Sequence, residues 1–291
     1  IDLTSHLKRT IKIDRLIESD AKFALQGLID RLQTNKFHSK SKDWLKRCIA
    51  WKVKYPVCLP EYKNTVGAIN VYTFMDRLSS LAAKEDVFIS DAGSAFYAAS
   101  QGIFLRFDNQ RYMPSGAMAT MGYSVPAAIG ASIALGDKRV LAITGDGSFQ
   151  QNIQELQTII HYDLPVKLFI WNNDGYLSIR ASQKNYFEGR YIGESRRSGV
   201  SMPDTIKICA AYGIKAARIS ELEKLDDAIK KALEYKGPYL LEVMTPPEQA
   251  IIPTVTSTVS ADGSMVSRPL EDMAPFLDRD EYRSNLIIDE I

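Results

Sequence analysis

Asp146 stands between two glycines in LAITGDGSFQQ (141–151), where an apolar run stops and a helix-like pattern begins. Asn173 follows 27 positions later, just past the apolar run PVKLFIW, with Gly175 two residues on. Either piece alone is an ordinary turn. Together, an acid, an amide oxygen and glycines at two strand ends suit the binding of a phosphorylated ligand through a cation. Glycines let the backbone approach a ligand closely, and the start of a helix offers unpaired N–H groups to phosphate. A bare carboxylate would repel that phosphate, so a divalent cation belongs between them. Magnesium takes its octahedral oxygens from a few protein groups and from the phosphates it serves. Asp146, Asn173 and the carbonyl of Gly175 are the expected metal ligands of such a diphosphate clamp. Gly145, Gly147 and Ser148 are the expected cradle. Rival phosphate motifs do not occur: no G-x-G-x-x-G follows an early strand, and there is no G-x-x-x-x-G-K-[ST].

Such a clamp needs strand ends held side by side. From Ile69 onward, short continuous apolar runs alternate with helical patterns. DVFISDAG, RVLAIT, PVKLFIW, IKAARI and YLLEVM read as strands. INVYTFMDRLSSLAA, PAAIGASIAL, FQQNIQELQTIIHY, PDTIKICAAYG and ELEKLDDAIKKALEY read as helices. Apolar strands without alternation are buried on both faces, which predicts an α/β fold: a doubly wound parallel sheet with helices on both faces. Ligands of such sheets bind at the carboxyl ends of the strands. A third strand end, ISDAGS (89–94), is therefore a further candidate.

The rest of the chain narrows the class. It has 291 residues and a net charge of +1, which gives no electrostatic case for nucleic acid or an anionic membrane. No run approaches the ~20 apolar residues of a spanning helix. Cys48, Cys58 and Cys209 are odd in number and lack a CxxC pair, so they read as free thiols of a cytoplasmic protein. SDAKFALQGLIDRLQ (19–33) is amphipathic at helical spacing, and KFHSKSKDWLKR (36–47) reads as a solvated basic face. YPVCLPEYKNTVG reads as a linker, and the stretch after Thr245 as a tail laid over the domain or a neighbour. His161, at a helix C-terminal end opposite the clamp, reads as structural, and Glu155 as a packing or subunit-contact residue.

The GDGS…NN arrangement resembles the signature of thiamine diphosphate (ThDP) enzymes. SGAMATMGYSVPAAIGA (115–131) further resembles the segment that grips the aminopyrimidine in acetolactate (acetohydroxyacid) synthases and their relatives. The resemblance covers about residues 65–291. It implies that Met121 is the apolar prop forcing the cofactor into a V shape, with its N–H on the pyrimidine ring and the Ala119 carbonyl on the exocyclic amine. SDAGSAFYAAS (90–100) resembles the other diphosphate-contacting strand end, with Ser94 and Ala95 where synthases carry Gln and His. Tyr176 also falls among the cofactor contacts, and Ile179, Arg180 and Ser182 among the substrate-pocket positions. Arg180 would either hold a substrate carboxylate or be a surface arginine. Ser182 stands where synthases carry the tryptophan that selects 2-ketobutyrate. VSRPLEDMAPFLDRDEY (266–282) resembles the tails of synthase-like proteins of sugar and surface-polysaccharide pathways.

The resemblance implies a division into the end of a central domain with a linker (1–65), a diphosphate- and magnesium-binding domain (66–250) and a C-terminal tail (251–291). The opening IDLTSHL reads as mid-strand, so the chain is expected to be part of a longer one. The family's catalytic Glu lies in the pyrimidine domain of a partner subunit. A homodimer or tetramer is thus implied, and this chain alone is expected to be inactive. The implied reaction is decarboxylation of a 2-keto acid followed by carboligation or protonation. Two alternatives remain open: a ThDP lyase or C–C hydrolase of the cyclohexanedione hydrolase kind, and a non-catalytic cofactor-binding subunit of a split enzyme.

Overall fold

The computed structural model describes residues 15–35, 41–259 and 264–287. By its contacts the chain divides into two units, Ile1–Pro56 and Val57–Ile291. In the first, α1 (Ala21–Thr34) starts where the Asp20 carboxylate accepts from the Lys22 N–H, and α2 (Lys42–Lys54) follows. Trp44 and Trp51, seven residues apart on α2, meet edge to face at 5.7 Å. The first five residues of the basic run, 36–40, and the opening segment 1–14 lie outside the described residues, His6 and His38 among them.

The second unit carries the sheet. In chain order it contains α3 (Val71–Leu81), β1 (Val87–Ser90), α4 (Gly93–Gly102), β2 (Arg111–Pro114), α5 (Ser124–Ala134) and β3 (Val140–Gly145). Next come α6 (Asp146–Phe149), α7 (Leu156–His161), β4 (Val166–Asn172), α8 (Leu177–Tyr186), α9 (Thr205–Tyr212), β5 (Lys215–Ile219), α10 (Leu225–Glu234) and β6 (Tyr239–Met244). A small hairpin of β7 (Ser257–Val259) and β8 (Met265–Ser267) and the helix α11 (Arg279–Asn285) complete it. The six strands pair in parallel in the order β2–β1–β3–β4–β6–β5. The expected α/β parallel sheet is present.

Alternation along each strand builds two apolar layers. Leu141, Ile143, Phe169, Trp171, Leu241 and Val243 face α3, α4 and α10, where Phe74 and Leu78 meet them. Val140, Ala142, Leu168, Ile170 and Leu240 face α5, α7 and α9, against Val125, Leu156, Ile159 and Cys209. Helix α10 shows the matching helical period, burying Leu225, Ile229, Ala232 and Leu233 while Lys230 and Lys231 stay out. Arg77 of α3 pairs with Asp226 of α10. The stretch after β6 lies over α3 and α4: Ile252 N–H donates to Tyr72 Oη at 3.0 Å, and Gln101 Nε2 donates to the Pro253 carbonyl at 2.8 Å.

Three local expectations are corrected. The helix expected over FQQNIQELQTIIHY is broken into α6, a 3₁₀ run Gln150–Glu155 and α7, because Asn152 leaves helical geometry at φ −139°, ψ 37°. The expected linker contains a 3₁₀ turn, Pro60–Asn64, with Pro60 at its start, where a missing N–H costs nothing. Strand β2 was not foreseen, since its side chains are half-buried or exposed at the sheet edge. Among the described residues, no helix is long and apolar enough to cross a membrane.

Candidate functional site

Strands β1, β3 and β4 are neighbours in the sheet, and their carboxyl ends deliver Asp91, Asp146 and Asn173 to one place. The chain turns left from β1 to β2 and right from β3 to β4, so a crevice opens between β1 and β3. A cavity of about 310 Å³ lies there. Gly93, Ser94 and Tyr97 of α4 form one wall, and Ala119 and Met121 another. Gly145 to Ser148 form its floor, and Asn173 with Gly175 to Ile179 close the third side.

The Asp146 carboxylate is 4% exposed. One oxygen accepts from the Gly147 N–H at 2.8 Å, the other from the Gly175 N–H at 3.0 Å. Burial pushes the carboxyl up to about 6 against those bonds and one from the Asn173 N–H, and the charge of Asp174 adds to the rise. Asn173 is also 4% exposed, and its Oδ1 has no hydrogen-bond partner among the described residues. A buried carboxylate without a cation and a buried amide oxygen without a donor are both costly arrangements. A hard divalent cation would satisfy both, so the residues fit the metal expected from the sequence.

Two glycines are needed for close approach. A Cβ on Gly147 would run into the Tyr176 ring. Gly175 sits at φ +136°, and a Cβ there would strike the Glu194 carbonyl. That carbonyl accepts from the Tyr176 N–H at 2.8 Å, so the 187–199 segment is stitched to the turn after β4.

The structure brings together Ser94, Ala119, Met121, Gly145, Asp146, Gly147, Ser148, Asn173, Gly175, Tyr176 and Ile179 around the cavity. It leaves three expected residues out. Ala95 is fully buried in the α3–α4 layer, its Cβ directed to the core by the helical turn of α4. Ser182 is exposed on α8 and does not line the cavity. Arg180 is buried rather than on the surface, and it does not line the cavity. Its Nε donates to Glu194 Oε2 at 2.5 Å, and its other nitrogens donate to the carbonyls of Asn173, Asp174 and Pro247. The clamp was expected to open a helix, but α6 is only four residues long.

Sequence reasoning missed four residues. Asp91 is fully buried and accepts from the hydroxyls of Thr144 and Ser148, each at 2.7 Å. Burial holds its carboxyl above the ordinary value against those bonds. Its signal was the parallel between ISDAGS and ITGDGS. Tyr97 and Ser178 line the cavity one helical turn inside α4 and at the start of α8. Glu194 sits in an irregular loop and gave no sequence signal. Burial opposes its charge, yet bonds from Ser195, Arg180 and Ser198 hold its carboxyl below the usual value.

Comparison with known proteins gives one family match, to the thiamine pyrophosphate enzyme, C-terminal TPP binding domain, over residues 91–243. The acetolactate synthase large subunit of Cyanidium caldarium is 31% identical over 242 residues, 82% of this chain and 40% of that protein. Acetolactate synthase 2, chloroplastic, of Nicotiana tabacum is 31% identical over 82% of this chain and 36% of its own length. The mitochondrial catalytic subunit of acetolactate synthase from Aspergillus candidus is 29% identical over 93% of this chain and 38% of its own. The chain thus spans about two fifths of the length of the curated relatives it matches.

Proposed function

The chain belongs to the thiamine pyrophosphate enzymes, whose cofactors are ThDP and Mg²⁺, and on that premise we propose that its cavity holds the diphosphate end of ThDP. Asp146, Asn173 and the carbonyl of Gly175 hold the magnesium. The backbone N–H groups of the first turn of α4 and of Ser148 receive the diphosphate, while the Gly147 N–H stays on the Asp146 carboxylate. Met121 and the Ala119 carbonyl orient the aminopyrimidine. When bound, the cofactor supplies the electron sink for cleaving or forming a bond beside a carbonyl. The chain's own task is to bind, orient and exclude water. Tyr97, Ile179 and Ser178 face the space left for substrate.

The unpartnered Asn173 Oδ1 beside the buried Asp146 carboxylate is the observation that carries this reading. We assign the chain to an acetolactate synthase-like enzyme acting on 2-keto acids, within a longer protein whose pyrimidine domain comes from a partner subunit in a dimer or tetramer. Three unpaired thiols, Cys48, Cys58 and Cys209, support a reducing compartment such as the cytoplasm.

Calorimetric titration with ThDP tests the site. Heat of binding is expected with Mg²⁺ and not without it, and Asp146→Ala is expected to abolish it. Unchanged affinity in that variant would remove the ligand assignment. Acetolactate and CO₂ formation from pyruvate, by the protein that contains this chain with its pyrimidine domain, tests the activity.

A further inference from the structure

We propose that Asp91, Ser148 and Asn152 are positioning residues that fix the Ala119–Gly122 segment against the Asp146 strand end. Gly122 is held at both backbone groups. Its N–H donates to Ser148 Oγ at 2.8 Å, and its carbonyl accepts from Asn152 Nδ2 at 2.9 Å. Its φ is +80°, and a Cβ would strike the side chains of Gln151 and Asn152, so the backbone itself is what the neighbours grip.

Each handle is oriented by a further bond. The Ser148 hydroxyl donates to Asp91 Oδ2 at 2.7 Å, and Thr144 donates to the same oxygen at 2.7 Å. The Ala92 N–H takes the other Asp91 oxygen at 2.7 Å. With its one proton directed to Asp91, Ser148 meets Gly122 as an acceptor. That proton is then not offered to a phosphate, so only the Ser148 backbone N–H is left for one. Gln154 Nε2 donates to Asn152 Oδ1 at 3.1 Å, which leaves the Asn152 amide nitrogen as the end that faces Gly122. The non-helical backbone at Asn152 accompanies that reach across to the Gly122 carbonyl.

Both handles stand within six residues of Asp146, on the turn that begins with it. Met121, next to Gly122, therefore takes its place from the metal-clamp turn rather than from its own exposed loop, where its side chain is 39% exposed. The functional meaning of Met121 rests on the proposed function. The hydrogen-bond chain does not.

Amide hydrogen exchange on the protein without added ligand tests the positioning. In Ser148→Ala and in Asn152→Asp, which is isosteric but has no N–H to donate, residues 119–123 are expected to exchange about tenfold faster, as for loss of one ordinary hydrogen bond. Strands β1, β3 and β4 are expected to keep their protection. Unchanged exchange over 119–123 in Asn152→Asp would overturn the proposal, whether or not Ser148→Ala folds. Titration then separates the two halves of the site. Asn152→Asp is expected to bind Mg²⁺-pyrophosphate as the parent does but to lose about tenfold in affinity for ThDP. Equal loss for both ligands would also overturn it. If the parent protein binds neither ligand, the proposed function falls, and the exchange result still decides the positioning.

Discussion

Nε of Arg180 lies 2.5 Å from Oε2 of Glu194, with the two side chains only 10% and 3% exposed. The pair joins α8 to the 187–199 segment. Arg180 also holds the carbonyls of Asn173 and Asp174, which belong to consecutive peptide groups. Removing one partner of a buried pair strands the other charge and costs about 3–5 kcal/mol. Glu194→Leu is therefore expected to lower stability by about that amount in urea unfolding, and the double change Arg180→Leu/Glu194→Leu by less than the sum of the single changes. Loss below about 1 kcal/mol in Glu194→Leu would show that the pair does not secure the loop.

Asn173 predicts a separation of stability from binding. Its buried Oδ1 makes no hydrogen bond among the described residues, so nothing favourable is lost from that atom on truncation. Asn173→Ala is expected to change the stability of the ligand-free protein by no more than about 1 kcal/mol. It should at the same time weaken Mg²⁺-dependent ThDP binding by about tenfold or more. Thermal unfolding and calorimetry on one sample check both halves, and a large stability loss with intact binding would invert the assignment.

Lys167 predicts a pH effect. It is 1% exposed on β4, and its Nζ donates to the carbonyls of Tyr235 and Gly237. Burial, with a smaller contribution from Arg139, lowers it from 10.5 to about 8. Between pH 8 and 10.5 the unfolded chain holds a proton that the native chain has released, so stability from this group rises with pH across that window and is lost as pH falls through about 8. The slope approaches about 1.4 kcal/mol per pH unit inside the window. Urea unfolding of the parent and of Lys167→Met from pH 7.5 to 10 should show the difference growing in the parent's favour. A pH-independent difference would mean that Lys167 keeps its proton.

Cys209 predicts a probe of global unfolding. It is fully buried on the inner face of α9, and burial pushes its thiol up to about 12. Alkylation at pH 8 is expected to be limited by unfolding at Cys209, while the partly exposed Cys48 and Cys58 react ahead of it. Mass-resolved labelling over time checks the order.

The strands and most helices of the second unit were legible because their apolar periods match their burial. Apart from Arg139, Thr144 and Lys167, RVLAIT and PVKLFIW are apolar, and their strands are covered on both faces. Asp146, Asn173 and their glycines were legible because a polar group at the end of such a run has few structural uses. The rest depended on contacts far apart in sequence. The helical period of Ile153, Leu156 and Ile160 continues through Asn152, yet the tertiary bond from Asn152 to the Gly122 carbonyl overrides it. Arg180 looked available because its acceptors are carbonyls, which side-chain patterns do not reveal, and a glutamate 14 residues away in a loop. Ala95 followed the resemblance in position, but the turn of α4 points its methyl at the core.

Because β1, β3 and β4 are consecutive in the sheet, Asp91, Asp146 and Asn173 are spaced by a ruler made of main chain. Its graduation is the interstrand distance of about 4.8 Å, set by peptide hydrogen bonds and indifferent to side-chain identity. The cavity walls proposed to face substrate, on α4 and α8, are mounted beyond the end of that ruler. Residues such as Tyr97, Ser178 and Ile179 can thus be exchanged in the search for a new substrate while the gauge that seats the cofactor stays fixed. A selection for altered specificity should accordingly collect its changes on those two helices and spare the strand ends.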